Sequence, residues 1–172
     1  NYKNAYSYLA DARKSLDRKK KRANILDSLG KARAATDLVF KKGDAIKAQL
    51  NEVADARASA IQAGALFLNK EGLIAVDDDA RDLTEAMESA SPRQPTLPER
   101  ARLQAEYLNL ELKTIKKDKL SAAFNFLQSA KNAGAKKYAP HTLAKAEEKY
   151  GNADKAIEAD RHEEDSYAPQ IA

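Results

Sequence analysis

Apolar residues recur three and four positions apart through most of the chain, which is the period of an amphipathic α-helix. Tyr2, Tyr6, Leu9, Ala12 and Leu16 form the first stripe, on a segment reaching about residue 26. A basic run interrupts it. The stripe resumes at Leu29, Ala32, Ala35, Leu38, Val39, Ile46, Leu50, Val53 and Ala60. This spacing predicts one long helix over about 28–64, kinked at Gly43-Asp44, where a true break with a new N-cap is the alternative. Gly64, inside Ala63-Gly64-Ala65, is placed to close that helix as a C-cap. A shorter helix over about 71–89 turns Leu73, Val76, Leu83 and Met87 inward, and Asp77-Asp78-Asp79 could break and recap it.

Three prolines within 91–98 cannot sit in a helix interior, so about 89–98 reads as a connector. Pro98 suits the start of the next helix. That helix is the clearest in the chain, with no Pro or Gly from 99 to 133. Ala101, Ala105, Leu108, Leu112 and Ile115 begin its stripe, and Leu120, Ala123, Leu127 and Ala130 continue it. Over 98–134 it would be roughly 55 Å long. Its expected core anchors are Leu108, Leu112, Leu120, Phe124 and Leu127, so that Leu112→Ala should lower stability. Residues 136–139 read as a turn. Pro140 opens a last helix with Leu143, Ala146, Tyr150, Ala153 and Ile157 on its stripe, and 161–165 read as a charged loop.

The two halves resemble each other at an offset of 70. Ser59-Ala60-Ile61-Gln62-Ala63-Gly64-Ala65 aligns with Ser129-Ala130-Lys131-Asn132-Ala133-Gly134-Ala135. Leu38, Leu50 and Leu73 meet Leu108, Leu120 and Leu143 in the same register. Each unit is a long helix, an Ala-Gly-Ala turn and a shorter helix, over about 28–89 and 98–160, with 1–26 a partial unit. Such units cannot bury their apolar stripe alone and stack on neighbours. The expectation is an all-α fold: a single elongated antiparallel bundle of about five helices, two of them long, over 1–172.

Composition supports helices. The chain has 34 alanines, while Leu, Ile, Val and Phe number 18, 7, 3 and 4. Alanine with Leu, Glu, Lys and Arg favours helix, and scarcity of β-branched residues disfavours sheet. A stripe of small residues also lets helix axes approach closely, within about 8–10 Å, and gives a thin core. No Cys is present, so disulfides and thiolate chemistry are excluded. The chain opens at Asn1 and has one Met, Met87. It therefore reads as a processed or excised part of a longer protein, any export signal having been removed. Tyr167 to Ala172 read as the start of a further helix.

The net charge is +4 and it is unevenly spread. The densest cluster is Arg18, Lys19, Lys20, Lys21 and Arg22, a candidate contact for nucleic acid or an anionic surface. A solvated helix face is the simpler reading. No aromatic residues interleave with the run and no groove-reading motif follows, which argues against nucleic acid. Catalytic and cofactor signatures are absent: there is no GxGxxG, GxxxxGK[ST], GxSxG or HExxH. His141 reads as an exposed first-turn residue. His162, beside Glu158, Glu163 and Glu164, is too sparse a ligand set for a metal. Asp77-Asp78-Asp79 lacks the spacing of a calcium loop and reads as a helix cap. Tyr2 and Tyr6 are expected to pack, with Tyr8 exposed. No catalytic, cofactor or metal residue is assigned, and no small-molecule substrate is expected.

Residues 130–157 read A-x-x-A-G-A-x-x-Y-A-P-x-x-L-x-x-A-x-x-x-Y-x-x-A-x-x-A-I, and Asp165-Ser166-Tyr167 follow. This resembles an uncharacterised Ala-rich helical domain of Gram-negative envelope proteins, often found ahead of an OmpA-like peptidoglycan-binding domain. The resemblance covers about 120–172 and, more faintly, 50–88, where Leu68-Asn69-Lys70 replaces the Tyr-Ala-Pro. It carries over no functional residues. It implies a periplasmic address with outer-membrane anchoring, and partners among envelope proteins or peptidoglycan reached through a further domain. Membrane association would come only through an N-terminal lipid anchor.

Overall fold

The computed structural model describes residues 2–19, 21–89 and 91–171, without the side chains of Tyr2 and Lys3. The protein is an all-α helical bundle. Among the described residues there are nine helical segments and no strand. They are α1 (Tyr2–Asp17), α2 (Arg22–Gln49), α3 (Asn51–Gln62), α4 (Ala65–Leu68), α5 (Lys70–Glu88), α6 (Leu97–Asn132), α7 (Ala135–Tyr138), α8 (Pro140–Ala159) and α9 (Glu164–Ile171). The chain divides into two compact units, Asn1–Asn51 with Thr84–Gln94, and Glu52–Leu83 with Pro95–Ala172.

In the first unit α1 packs on α2. Their contact is made by small side chains: Ala12 is 3% exposed and Ala32 7%. The bulky stripe expected to be inside is outside, with Tyr6, Leu9, Leu16 and Leu29 exposed and Tyr8 half-buried. Alanine sides let the two axes come together, and larger residues at those positions would hold them apart. The basic run is not a helix face either. α1 stops at Asp17, Lys19 adopts φ 51°, and α2 begins at Arg22. A helix carried through this run would stack Arg18 over Arg22, whereas cations at the end of α1 meet its negative dipole. α2 continues unbroken past Gly43; the break comes at Leu50, whose N–H reaches the carbonyls of Ile46 and Lys47.

In the second unit α6 packs on α4, α7 and α8, and α8 on α7 and α9. α6 begins on a capping box: Thr96 Oγ1 accepts from the Glu99 N–H, and the Glu99 carboxylate accepts from the Thr96 N–H at 2.8 Å. Pro98 therefore sits second in the helix, where no donor is missed. α5 is unbroken through Asp77, Asp78 and Asp79, so these acids lie in a helix interior and do not cap. Leu73 and Leu83 are buried on it. Gly72 lets α6 approach closely there: a Cβ would stand 2.9 Å from Leu110 Cδ1 and 2.8 Å from Asn69 Oδ1, so those side-chain ends would have to shift. The buried face of α6 near its start is Leu103, Tyr107, Leu110, Glu111 and Thr114. Leu108 and Phe124 are exposed, Leu112 and Leu127 half-buried, and of the expected anchors only Leu120 is buried. Leu120 forms a core with Ala153, Ile157 and Tyr167, ringed by Leu112, Ile115, Tyr150, Ala156 and Ile171. Phe124 and Tyr150 pack with centroids 6.2 Å apart.

The turns at Gly64 and Gly134 are alike bond for bond at the offset of 70. Gly64 (φ 93°, ψ 18°) matches Gly134 (φ 83°, ψ 20°), and Asn69 (φ −144°, ψ 47°) matches Ala139 (φ −144°, ψ 51°). The Ala63, Leu68, Asn69 and Leu73 N–H groups donate to Ser59, Gly64, Ala65 and Asn69; those of Ala133, Tyr138, Ala139 and Leu143 donate to Ser129, Gly134, Ala135 and Ala139. Residues 136–139, expected as a turn, are thus mostly one helical turn, closed by non-helical Ala139 before Pro140 opens α8. Both glycines lie in the left-handed region. Gly64→Ala and Gly134→Ala should each cost about 1–2 kcal/mol. Thermal unfolding followed by circular dichroism checks this, and two unchanged midpoints would mean that the turns tolerate a right-handed residue.

Candidate functional site

Two polar assemblies and two apolar grooves are the features that could carry function. The first assembly joins α3, α5 and α6. Arg57 grips Asp77 through two hydrogen bonds, Nε to Oδ1 at 2.7 Å and Nη2 to Oδ2 at 2.8 Å. The Tyr107 hydroxyl donates to the same Oδ1 at 2.7 Å. One turn along, Arg102 pairs with Asp79 at 2.9 Å and with Glu106 at 2.7 Å. The bonds from Arg57 hold the Asp77 carboxyl below its ordinary pKa, against burial that pushes it up, and Tyr107 adds to the lowering. Burial pushes the Tyr107 phenol well above its ordinary value, and the adjacent Asp77 carboxylate pushes it further. Tyr107 therefore keeps its proton and donates it to Asp77. The assembly fastens α3, α5 and α6 to one another.

A depressed carboxyl pKa has a sign for stability. The contribution of Asp77 is present above its unfolded pKa of about 4 and is lost as pH falls through the lower folded value. Asp77 and Arg57 are partly exposed, so the contribution is screened to about 1 kcal/mol. Asp77→Asn should cost that much at neutral pH, and the gap from the native protein should close in acid. Urea midpoints measured down the acid limb test this, and a gap that stays constant with pH would remove the electrostatic part.

The second assembly is built on Glu111, which is 2% exposed in the middle of α6. Arg161, just past α8, donates to Glu111 Oε2 at 3.1 Å and to the Leu108 carbonyl at 2.6 Å. His162 Nε2 lies 3.5 Å from Glu111 Oε1. Residues 161–162, expected as part of a charged loop, thus bring a cation onto a buried carboxylate. His162 faces Glu111 and is largely exposed, and His141 lies exposed in the first turn of α8. Among the described residues no three His, Cys, Asp or Glu side chains come together as a metal site. Further ion pairs fasten α6 to its antiparallel neighbour α8: Lys116 to Asp154 (2.7 Å) and Glu158 (2.6 Å), and Lys131 to Glu147 (2.8 Å).

Sequence reasoning singled out none of Arg57, Tyr107, Glu111 or Arg161. The available signal was a polar group inside an apolar stripe, since Tyr107, Glu111 and Thr114 alternate with Leu103 and Leu110 three and four apart. Of the candidate contact residues, Arg18, Lys19, Lys21 and Arg22 are exposed at the α1–α2 turn, and Lys20 lies outside the described residues.

The grooves are open and apolar. One runs along α1 and α2, lined by Tyr6, Leu9, Leu16, Ile25 and Leu29. The other, about 480 Å³, lies on α6, α7 and α8 and reaches Gln170 and Ile171 of α9. No described helix is long and apolar enough to cross a membrane. Comparison of the chain with family models, with curated proteins and with solved structures returns no match.

Proposed function

We propose that the chain is a non-catalytic helical module of the cell envelope, a periplasmic spacer or protein-interaction scaffold within a larger lipoprotein or OmpA-family protein. One observation carries this reading: most of the residues on which the envelope-domain resemblance rests serve as architecture, while Tyr138, Ala146, Asp165 and Ser166 stay exposed. Gly134 supplies the left-handed turn, Ala139 the break, Pro140 the first residue of α8, and Ala153 and Tyr167 the core. A motif spent on geometry fits a domain selected to hold helices side by side and to present their outer faces. The polar assemblies agree with it, since both tie one helix to the next. Partners would be other envelope proteins, or peptidoglycan through an attached domain. Fractionation of Gram-negative cells producing the full-length protein tests the address. Recovery with the outer membrane supports it, and recovery in the cytosol alone overturns it.

A second reading, binding of nucleic acid or an anionic surface, draws on the exposed cations at the α1–α2 turn, where Lys19 projects from a left-handed residue. Binding to DNA or anionic vesicles that weakens steeply with salt, and is lost when Arg18, Lys19, Lys21 and Arg22 are replaced by Gln, would support it. No binding at low salt removes it.

A further inference from the structure

The equivalence of the turns at Gly64 and Gly134 exposes a difference in what lies upon them. In the first copy the face beside the turn is covered by α6. Lys117 Nζ donates to the Leu68 carbonyl at 2.6 Å, Leu110 reaches Gly72, Tyr107 reaches Asp77, and Arg102 pairs with Asp79. In that copy Val53, Ala56, Ala60, Ala65 and Leu73 are all buried. Seventy residues on, their counterparts Ala123, Phe126, Ala130, Ala135 and Leu143 line the open groove on α6, α7 and α8. Phe126 is 76% exposed where Ala56 is 4%. The groove also continues an interface the fold already uses: Ile171 of α9 lies on its rim and against the core of Leu120, Ala153, Ile157 and Tyr167.

We propose that this groove binds an amphipathic α-helix of a partner protein, lying along α8 as α6 lies along α5, with an acidic residue opposite Lys149. The apolar part of the partner is specified by the internal precedent, a stripe spaced like Leu103, Tyr107 and Leu110. The charge is specified by a reversal. Position 79 is Asp and meets Arg102 in the first copy; its counterpart in the groove lining is Lys149. In the adjoining hollow Lys131 and Glu147 offset each other as a pair, which leaves Lys136 and Lys149 as the uncompensated charges. The rim is therefore positive, and the incoming helix must carry the opposite sign where α6 carries Arg102. An exposed apolar groove with a polar rim suits helix-in-groove recognition. The inference rests on the reading of the chain as an interaction module.

The probe is a labelled peptide of residues 97–119, held helical by a lactam across positions 105 and 109, both of which are exposed in α6. It is titrated against the whole chain by fluorescence anisotropy, as the native peptide and as its Arg102→Glu form. The Arg102→Glu peptide should bind about ten-fold more tightly than the native one. Lys149→Asp in the protein should reverse that order, and Phe126→Asp, at an exposed position that folding tolerates, should abolish binding of both. Three results would overturn the proposal. These are no binding of either peptide up to about 0.5 mM protein, binding that survives Phe126→Asp, which would mean exchange with α6 itself, and a Phe126-dependent dimer in sedimentation equilibrium, which would give the groove to a second copy. Failure of the peptide leaves the outer-membrane fractionation result standing, so the two readings fall separately.

Discussion

Arg161→Ala is expected to destabilise the protein by about 3–5 kcal/mol, because it strands the Glu111 carboxylate where water does not reach it. Glu111 is 2% exposed and Arg161 supplies its charge-assisted bond. The same guanidinium also holds the Leu108 carbonyl, a group already engaged within α6, so the loss falls mainly on Glu111. His162 lies on the other carboxylate oxygen at 3.5 Å and offsets little unless protonated. Position matters more than charge here: Arg102→Ala, at a pair exposed on both sides, should cost under about 1 kcal/mol. The companion variant separates burial of a charge from loss of contact. Glu111→Leu combined with Arg161→Leu removes both charges and should recover most of the stability, since buried pairs are often matched by apolar residues of similar size. Urea unfolding at constant slope measures all three. If Arg161→Ala shifts stability by less than about 1 kcal/mol, solvent reaches Glu111 and the burial is wrong.

The helices were legible in the sequence, and so were the inward faces of α3, α5 and α8, where Val53, Ala60, Leu73, Leu83, Leu143, Ala153 and Ile157 are buried; the faces of α1 and of the first half of α6 were not. Alternation at three and four places α5, α6 and α8 within a few residues of their ends, because that spacing is imposed by burial on one side. It misplaces the breaks. Gly43 is helical while Leu50 is not, since an exposed glycine costs about 1 kcal/mol in a helix and packing readily overrides it. It also overrates bulky residues on Ala-rich helices. The stripe read on α1 runs through Tyr6, Leu9, Ala12 and Leu16, and of these only Ala12 is buried. The Thr96-Leu97-Pro98-Glu99 capping box could have been read directly, as could the polar members of the 103–114 stripe. The pairing of Arg57 with Asp77 and of Arg161 with Glu111 could not, because it joins residues 20 and 50 apart that only the bundle brings together.

The two faces of α6 explain the largest of these displacements and give it a measurement. A helix of 36 residues outruns any single partner, and α6 serves two. Its first half turns Leu103, Tyr107, Leu110 and Thr114 toward the α4–α5 side; further on it meets α8 and α9 with Ile115, Lys116, Lys119 and Leu120. One stripe traced from Ala101 through Leu108 to Leu120 therefore starts on solvent and ends in the core. Leu103→Ala should cost about 2–5 kcal/mol, the sum of lost apolar transfer and the cavity left behind at a position 1% exposed. Leu108→Ala, five residues away on the same helix at a position 36% exposed, opens no closed cavity and should cost about 1 kcal/mol or less. Both are leucine-to-alanine changes in one helix, so propensity cancels between them and only burial distinguishes them. Equal shifts in the urea midpoint, or a larger one for Leu108, would mean that α6 turns the face read from its sequence toward α5. The contact of Tyr107 with Asp77 would then have to go as well.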